Sequence, residues 1–172
     1  LKPVNLANVA TVIRNAASME MNGLELELMY QVTEAWDLMV TYGYLEAEYK
    51  DYLADLTGDG VITDNSGLIP RNTPENTFGI TTSYTTQVGD GELKGRISYR
   101  FRDEMNSDSS NNPYGDLDSI ENVNATINYS IDNYSITIWG RNLTDEREQR
   151  WATIGGLTSR GWWNEPQTLS LI

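Results

Sequence analysis

The feature that most constrains this chain is a pair of alternating apolar and polar runs from position 23 to position 49, joined by one very short turn. Leu24, Leu26, Leu28, Tyr30 and Val32 share one parity, and Glu25, Glu27, Met29 and Gln31 share the other. After Thr33-Glu34-Ala35 the pattern resumes with Trp36, Leu38, Val40, Tyr42 and Tyr44 apolar, while Asp37 and Thr41 face away. A period of two means strand, because successive side chains point to opposite faces. Apolar runs of about ten residues, bounded by aromatics, have the length of a strand that crosses a bilayer. Their polar partners are too hydrophilic for a packed core and suit a water-filled or polar-plugged lumen.

The same unit recurs. Residues 1–16 carry no clean period and read as a loop, and a strand is expected over 17–32. A long polar loop over 51–70 precedes a strand with Phe78, Ile80, Thr82, Tyr84 and Thr86 on one face. Gly89-Asp90-Gly91 is a tight turn, since glycine supplies the positive φ such turns need. The next strand sets Leu93, Gly95, Ile97, Tyr99 and Phe101 against Lys94, Arg96, Ser98, Arg100 and Arg102. A second long loop, 103–118, is rich in Ser, Asn and Asp. Val123, Ala125, Ile127, Tyr129 and Ile131 then alternate with polar residues, and a turn at Asp132-Asn133 leads to Tyr134, Ile136, Ile138 and Gly140. A third long loop runs over 143–165, ahead of a short strand holding Leu169 and Leu171. Seven strands are thus expected, joined by alternately short and long connections. That is the habit of outer-membrane barrels, with short periplasmic turns and long extracellular loops. Two aromatic groups follow the same logic. Tyr30, Trp36, Tyr84, Tyr129 and Tyr134 lie beside the short turns, and Tyr42, Tyr44, Phe78, Tyr99 and Phe101 lie near the long loops, as interfacial girdles would.

Composition narrows the function. The net charge of −13 argues against a nucleic-acid partner, which needs a basic footprint. With no cysteine and no histidine, a disulfide framework, a thiolate metal site and the commonest general base are all absent, so no enzyme is expected. The chain opens at Leu1-Lys2-Pro3 without a basic start and apolar block, so a leader has been removed or the chain is an internal piece. Alternation alone leaves a soluble antiparallel sandwich or barrel open as the alternative.

Several segments resemble TonB-dependent outer-membrane receptors: Asn15-Ala16-Ala17-Ser18 ahead of Gly23-Leu24-Glu25-Leu26-Glu27-Leu28, Pro70-Arg71-Asn72-Thr73-Pro74, and Tyr99-Arg100-Phe101-Arg102-Asp103-Glu104. The most specific is Ile138-Trp139-Gly140-Arg141-Asn142-Leu143-Thr144-Asp145-Glu146, and Glu165-Pro166-Gln167-Thr168-Leu169-Ser170-Leu171 is similar to the family's closing strand. The resemblance implies an all-β antiparallel up-and-down meander forming the C-terminal strands of a transmembrane barrel of about 22 strands with a plugged lumen. It implies TonB-energised uptake of a scarce nutrient such as a ferric siderophore, across the bacterial cell outer membrane. The implied partners are outer-membrane lipid, the N-terminal plug domain, the remaining barrel strands, the TonB complex through the plug, and a small-molecule nutrient. Residues 1–172 would supply only the wall and its loops, with no plug in this chain and no required cofactor. Gln167 stands where the family commonly has arginine, and the chain stops at Ile172 rather than at an aromatic residue. A passive porin or adhesin barrel is the runner-up, and it would share the lipid face.

Three candidate sites stand out. Lys94, Arg96, Arg100 and Arg102 form a basic ladder on one strand face; with Glu25 and Glu27 they are expected to face the lumen and the plug. The other reading pairs the ladder with the carboxylates of Glu25, Glu27 or Asp37. Trp151, Arg160, Trp162 and Trp163 in the last long loop are expected to meet ligand outside the cell, or to belong to the outer girdle. Residues 55–66 resemble the first part of a calcium loop, with Asp55, Thr57 and Asp59 at positions one, three and five, Gly60 at six and the Val61 carbonyl at seven. Ser66 stands where a bidentate Glu belongs, and a Gly/Asp-rich surface turn is the other reading.

Overall fold

The computed structural model describes residues 18–155 and 158–172, so the loop expected over 1–16 lies outside the described residues. The described residues are all-β apart from one 3-10 turn, Pro113–Gly115. Its strands are β1 (Ser18–Thr33), β2 (Trp36–Asp51), β3 (Leu53–Ala54), β4 (Thr63–Asp64), β5 (Asn76–Val88), β6 (Gly91–Arg102), β7 (Met105–Asn106), β8 (Asp116–Leu117), β9 (Ile120–Ile131), β10 (Tyr134–Arg141), β11 (Gln149–Gly155), β12 (Thr158–Trp163) and β13 (Thr168–Leu171). Seven of them form one antiparallel sheet in the order β1-β2-β5-β6-β9-β10-β13. The long strands are therefore neighbours in chain order, an up-and-down meander. Short turns and long connections alternate along it.

Register confirms the face assignment strand by strand. Leu26 lies opposite Tyr42, Tyr42 opposite Phe78, and Phe78 opposite Phe101. One level down, Leu28, Val40, Ile80, Tyr99 and Val123 align. Ile97, Ala125, Gly140 and Leu169 align in turn across the last strands. The expected apolar positions thus share one face, except at Val32, where the register shifts between Gln31 and Thr33.

Among the described residues that face has no cover. Leu26, Ile97, Ile127 and Ile136 are each more than half exposed, at 56%, 54%, 52% and 57%. Among the described residues the buried aliphatic side chains are Ala54 and Leu117, and both belong to loop ribbons rather than to the sheet. Seven strands ~4.8 Å apart, with an apolar band ~25 Å tall, present on the order of 700 Å² of apolar surface, beyond the few hundred Å² a soluble monomer exposes. Among the described residues no helix is long and apolar enough to cross a membrane. A soluble sandwich would seal this row beneath a second layer, and none lies over it among the described residues.

Aromatic side chains mark both ends of the band. At the short-turn end Trp36 lies opposite Tyr84, and its Nε1 donates to Thr82 Oγ1 at 2.7 Å. Tyr129 Oη donates to the Val88 carbonyl at 3.0 Å, tying β9 to the β5–β6 turn. Gly89 has φ of 61° in that turn. Gly91 is required for a different reason: a Cβ there would lie 2.5 Å from Tyr129 Oη. At the long-loop end Tyr42 Oη donates to Asn76 Oδ1 at 2.8 Å, and Phe78 and Tyr99 meet at 6.1 Å between ring centroids. A ring that buries its body and bonds through its polar tip suits a headgroup interface.

The long loops are more ordered than their composition suggests. β3 pairs with β4 in the first, β7 with β8 in the second and β11 with β12 in the third. The expected unbroken loop over 143–165 is therefore corrected to a hairpin on its own two-stranded sheet. Each ribbon is too short or too irregular in pattern to announce itself by period.

Candidate functional site

The polar face opposite the apolar row carries the charged residues singled out from the sequence. Glu25 lies opposite Gly43 and Glu27 opposite Thr41. On β6, Arg102 lies level with Thr77, Arg100 with Gly79, Arg96 with Ser83 and Lys94 with Thr85. All six candidates share this face. The pairing of the ladder with Glu25, Glu27 or Asp37 is not found: no ion pair among the described residues joins them. β2 and β5 stand between β1 and β6, so Glu25 and Glu27 are about 14 Å from the ladder at ~4.8 Å per strand.

The four cations are not equivalent. Arg102 is a clamp. Its Nη1 donates to the Asp103 carbonyl at 2.8 Å, and its Nη2 donates to the Asp118 carbonyl at 3.1 Å. Nη2 also lies 3.3 Å from Glu148 Oε1, with both side chains only 17% exposed. One guanidinium therefore fixes both ends of the second loop and the base of the third. Its planar fork of five donors is what permits this. Lys94, Arg96 and Arg100 are exposed, and their side chains make no hydrogen bond or ion pair among the described residues.

Above the ladder, asparagines join the loops. Asn142 is 4% exposed and sits at φ of 51° where β10 ends. Its Oδ1 accepts from Asn122 Nδ2 at 3.2 Å and from the Glu146 amide at 3.1 Å. Its Nδ2 donates to the Glu146 carbonyl at 3.0 Å and the Glu165 carbonyl at 3.1 Å, so both ends of the third loop meet on one side chain. Asn111 does the same between loops. Its Oδ1 accepts from the Ile69 amide at 2.8 Å and its Nδ2 donates to the Ile69 carbonyl at 2.7 Å, joining the second loop to the first. An amide side chain can mimic a backbone peptide in this way because it carries both donor and acceptor. Beneath these loops a concavity of about 690 Å³ opens on the polar face, lined by Arg100, Arg102, Asn122, Asn124, Thr41 and Glu148 among others.

In the first loop, the Asp55 carboxylate accepts from the Gly60 amide at 2.8 Å and the Gly58 amide at 2.7 Å. The Gly60 bond, opposed by partial desolvation and reinforced by Gly58 and Thr57, holds the Asp55 carboxyl below its ordinary pKa. Gly60 has φ of 87°, the left-handed conformation that favours glycine. Asp59 Oδ1 accepts from the Val61 amide at 2.8 Å. Asp55, Thr57, Asp59 and Val61 are thus brought into one self-bonded turn. No group of three or more acidic side chains able to hold a metal converges among the described residues.

In the third loop, β11 and β12 set Trp151 opposite Trp162 and Thr153 opposite Arg160 in backbone register. The side chains of Trp151 and Arg160 lie outside the described residues. Trp162 and Trp163 are 70% and 60% exposed on a ribbon separate from the wall. The sequence reading missed Glu148, Asn142 and Asn111 as organising residues. Only Asn142 carried a local signal, inside the Arg141-Asn142-Leu143-Thr144-Asp145 run.

Residues 2–143 match the sequence profile of the family described as TonB dependent receptor-like, beta-barrel. The chain belongs to the TonB-dependent receptor β-barrel family. The family is one of receptors rather than enzymes. Solved structures agree on the fold. The ferric yersiniabactin uptake receptor FyuA from Yersinia pestis superposes with a TM-score of 0.74 at 15% identity, over 89% of this chain and 23% of that one. The siderophore receptor PiuA from Acinetobacter baumannii gives 0.73 at 20% identity, over 89% and 21%. BauA, the ferric preacinetobactin receptor from the same species, gives 0.66 at 19% identity, again over 89% and 21%. This TonB-dependent receptor chain thus spans under a quarter of the length of the structures it matches, consistent with an open seven-stranded sheet.

Proposed function

We propose that this chain is the C-terminal barrel wall, with extracellular loops, of an outer-membrane receptor. The receptor would take up a scarce nutrient, such as a ferric siderophore, with energy supplied through TonB. The observation that carries the reading is the uncovered apolar face bounded by aromatics, backed by a polar face rich in cations and amides. The former suits lipid and the latter suits a plug and a solute path. The names of the matched solved structures, all receptors for iron-chelating compounds or their ferric complexes, support the substrate class. In this reading the open edges of β1 and β13 join the remaining strands of a barrel of about 22, since unpaired edges are not tolerated in lipid. Lys94, Arg96 and Arg100, with Glu25 and Glu27, face the plug or the solute. Trp162 and Trp163, with Trp151 and Arg160, meet the ligand from outside. Calcium held by Asp55, Thr57, Asp59 and the Val61 carbonyl is a separate, secondary proposal, tested by calorimetric titration of the metal.

The test is iron uptake by cells carrying or lacking the intact gene, with radiolabelled ferric siderophores as probes. The reading predicts uptake that disappears with the gene and also when TonB is removed. Uptake that persists without TonB would favour a passive pore, and unchanged uptake in the deletion strain would overturn the assignment.

A further inference from the structure

The concavity under the loops combines two guanidiniums that differ in state. Arg100 and Arg102 are two residues apart on the same face of β6, about 7 Å between Cα atoms at the usual strand rise. Arg100 is exposed and has no polar partner among the described residues, whereas Arg102 is held by Glu148 at 3.3 Å. Asn124 stands one strand over. Its Oδ1 accepts the Asn142 amide at 3.0 Å, which leaves its Nδ2 without a bond among the described residues. A free guanidinium, a second one countered by a single carboxylate and a free amide donor make a donor-rich pocket in a chain of net charge −13. Planar guanidinium forks match carboxylate and phosphate oxygens bidentately.

We propose that this pocket is an oxyanion site, taking a carboxylate- or phosphate-bearing small molecule, in which Arg100 makes the first contact and Arg102 the second. The proposal rests on the receptor reading above and names the chemistry of its solute. Glu148 is the built-in competitor. It occupies Arg102 when the site is empty, and an incoming oxyanion displaces it. Glu148 is also part of the third loop's base: its amide donates to Asn164 Oδ1 at 3.1 Å, and its carbonyl accepts from the Asn164 amide at 2.9 Å. Releasing its carboxylate from Arg102 removes one of the contacts that hold the foot of the β11–β12 ribbon to the wall, beside those made by Asn142. Occupancy of the inner pocket is thereby coupled to the third loop.

The experiment uses the intact protein purified in detergent, with citrate and pyrophosphate as the carboxylate and phosphate probes. Binding is followed by calorimetry, and exchange in residues 146–165 by mass spectrometry. At least one probe binds, and its identity tells which oxyanion the site prefers. Arg100→Gln weakens that binding about tenfold or more, the loss of a charge-assisted pair. Glu148→Gln tightens it several-fold, because the competing charge is gone, and exchange in 146–165 rises when wild-type protein is loaded. A Glu148 that merely props the loop would not give tighter binding. The site is overturned if neither probe binds, if Arg100→Gln binds as wild type does, or if Glu148→Gln weakens binding. Iron uptake that depends on the gene but is indifferent to Arg100→Gln sinks the site and leaves the receptor reading standing.

Discussion

Replacing Ile97 with arginine places a charge at the centre of the apolar face. Ile97 is 54% exposed, with Thr82 on one side and Ala125 on the other. It lies four residues from Leu93, at the level of Tyr129 in the short-turn girdle, and four from Phe101 in the long-loop girdle. Eight residues rise about 26 Å along the strand, or about 20 Å along the membrane normal at a tilt of ~40°. Ile97 therefore sits ~10 Å from each girdle, at the midplane. Arginine on a lipid-facing barrel position costs about 2–4 kcal/mol there and about 0–1 kcal/mol near an interface. Ile97→Arg should thus destabilise by roughly 2–3 kcal/mol more than Leu93→Arg on the same strand and face. Reversible guanidinium unfolding of the intact protein in phospholipid vesicles measures both. If the face met water, both variants would fall within about 0.5 kcal/mol of wild type. If it met a protein layer, the cost would follow local packing rather than depth. Equal costs at the two positions, or none at Ile97, would refute the depth argument.

Other outcomes follow from single contacts. Asn142→Ala removes the side chain that ties both ends of the third loop, and it places alanine at φ of 51°. Exchange in residues 143–166 should show local opening easier by about 2–4 kcal/mol, with the seven-stranded sheet unchanged. Gly91→Ala should lower stability by about 1–2 kcal/mol, because its Cβ would displace Tyr129 from the Val88 carbonyl. Gly95→Ala, where nothing lies within 4 Å of the new Cβ, should cost nothing in the same denaturation assay. For Asp55 the folded pKa is depressed, so its contribution to the first loop is complete above the unfolded value of about 3.9 and is lost as pH falls through the folded value. Exchange in residues 53–66, corrected for intrinsic rates, should stay constant from pH 7 to about 5 and rise only below ~4. Loosening already at pH 6 would mean that another group holds the loop.

The wall was legible because its information is local. Leu24 through Tyr44 declare strand, face and turn within one hairpin, and each later hairpin repeats the declaration. A one-residue slip would send Ile97 or Ile136 to the polar side, so the alternation also sets the register. The loops were not legible for the opposite reason. Glu148 is 46 residues from Arg102, and Asn111 is 42 from Ile69. No periodicity announces contacts between polar side chains brought together by three separate hairpins. The basic ladder was visible as four equal cations, but its division into one clamp and three unpaired groups depends on where Glu148 lands. The β11–β12 ribbon escaped notice because Gln149–Gly155 mixes polar, aromatic and small residues without a sustained period of two.

The most direct test of the whole account is a spin-label scan of β6 in lipid. Residues 1–172 hold no cysteine, so a label introduced in the intact protein meets no competing thiol within this wall. Labels placed one at a time from residue 93 to residue 100 would be probed with oxygen, which concentrates in hydrocarbon, and with a water-soluble nickel chelate. Positions 93, 95, 97 and 99 should collide chiefly with oxygen, most strongly at 97, and positions 94, 96, 98 and 100 should be shielded from it. Equal oxygen accessibility at odd and even positions, or chelate reaching 97 as readily as 100, would contradict a lipid-covered wall.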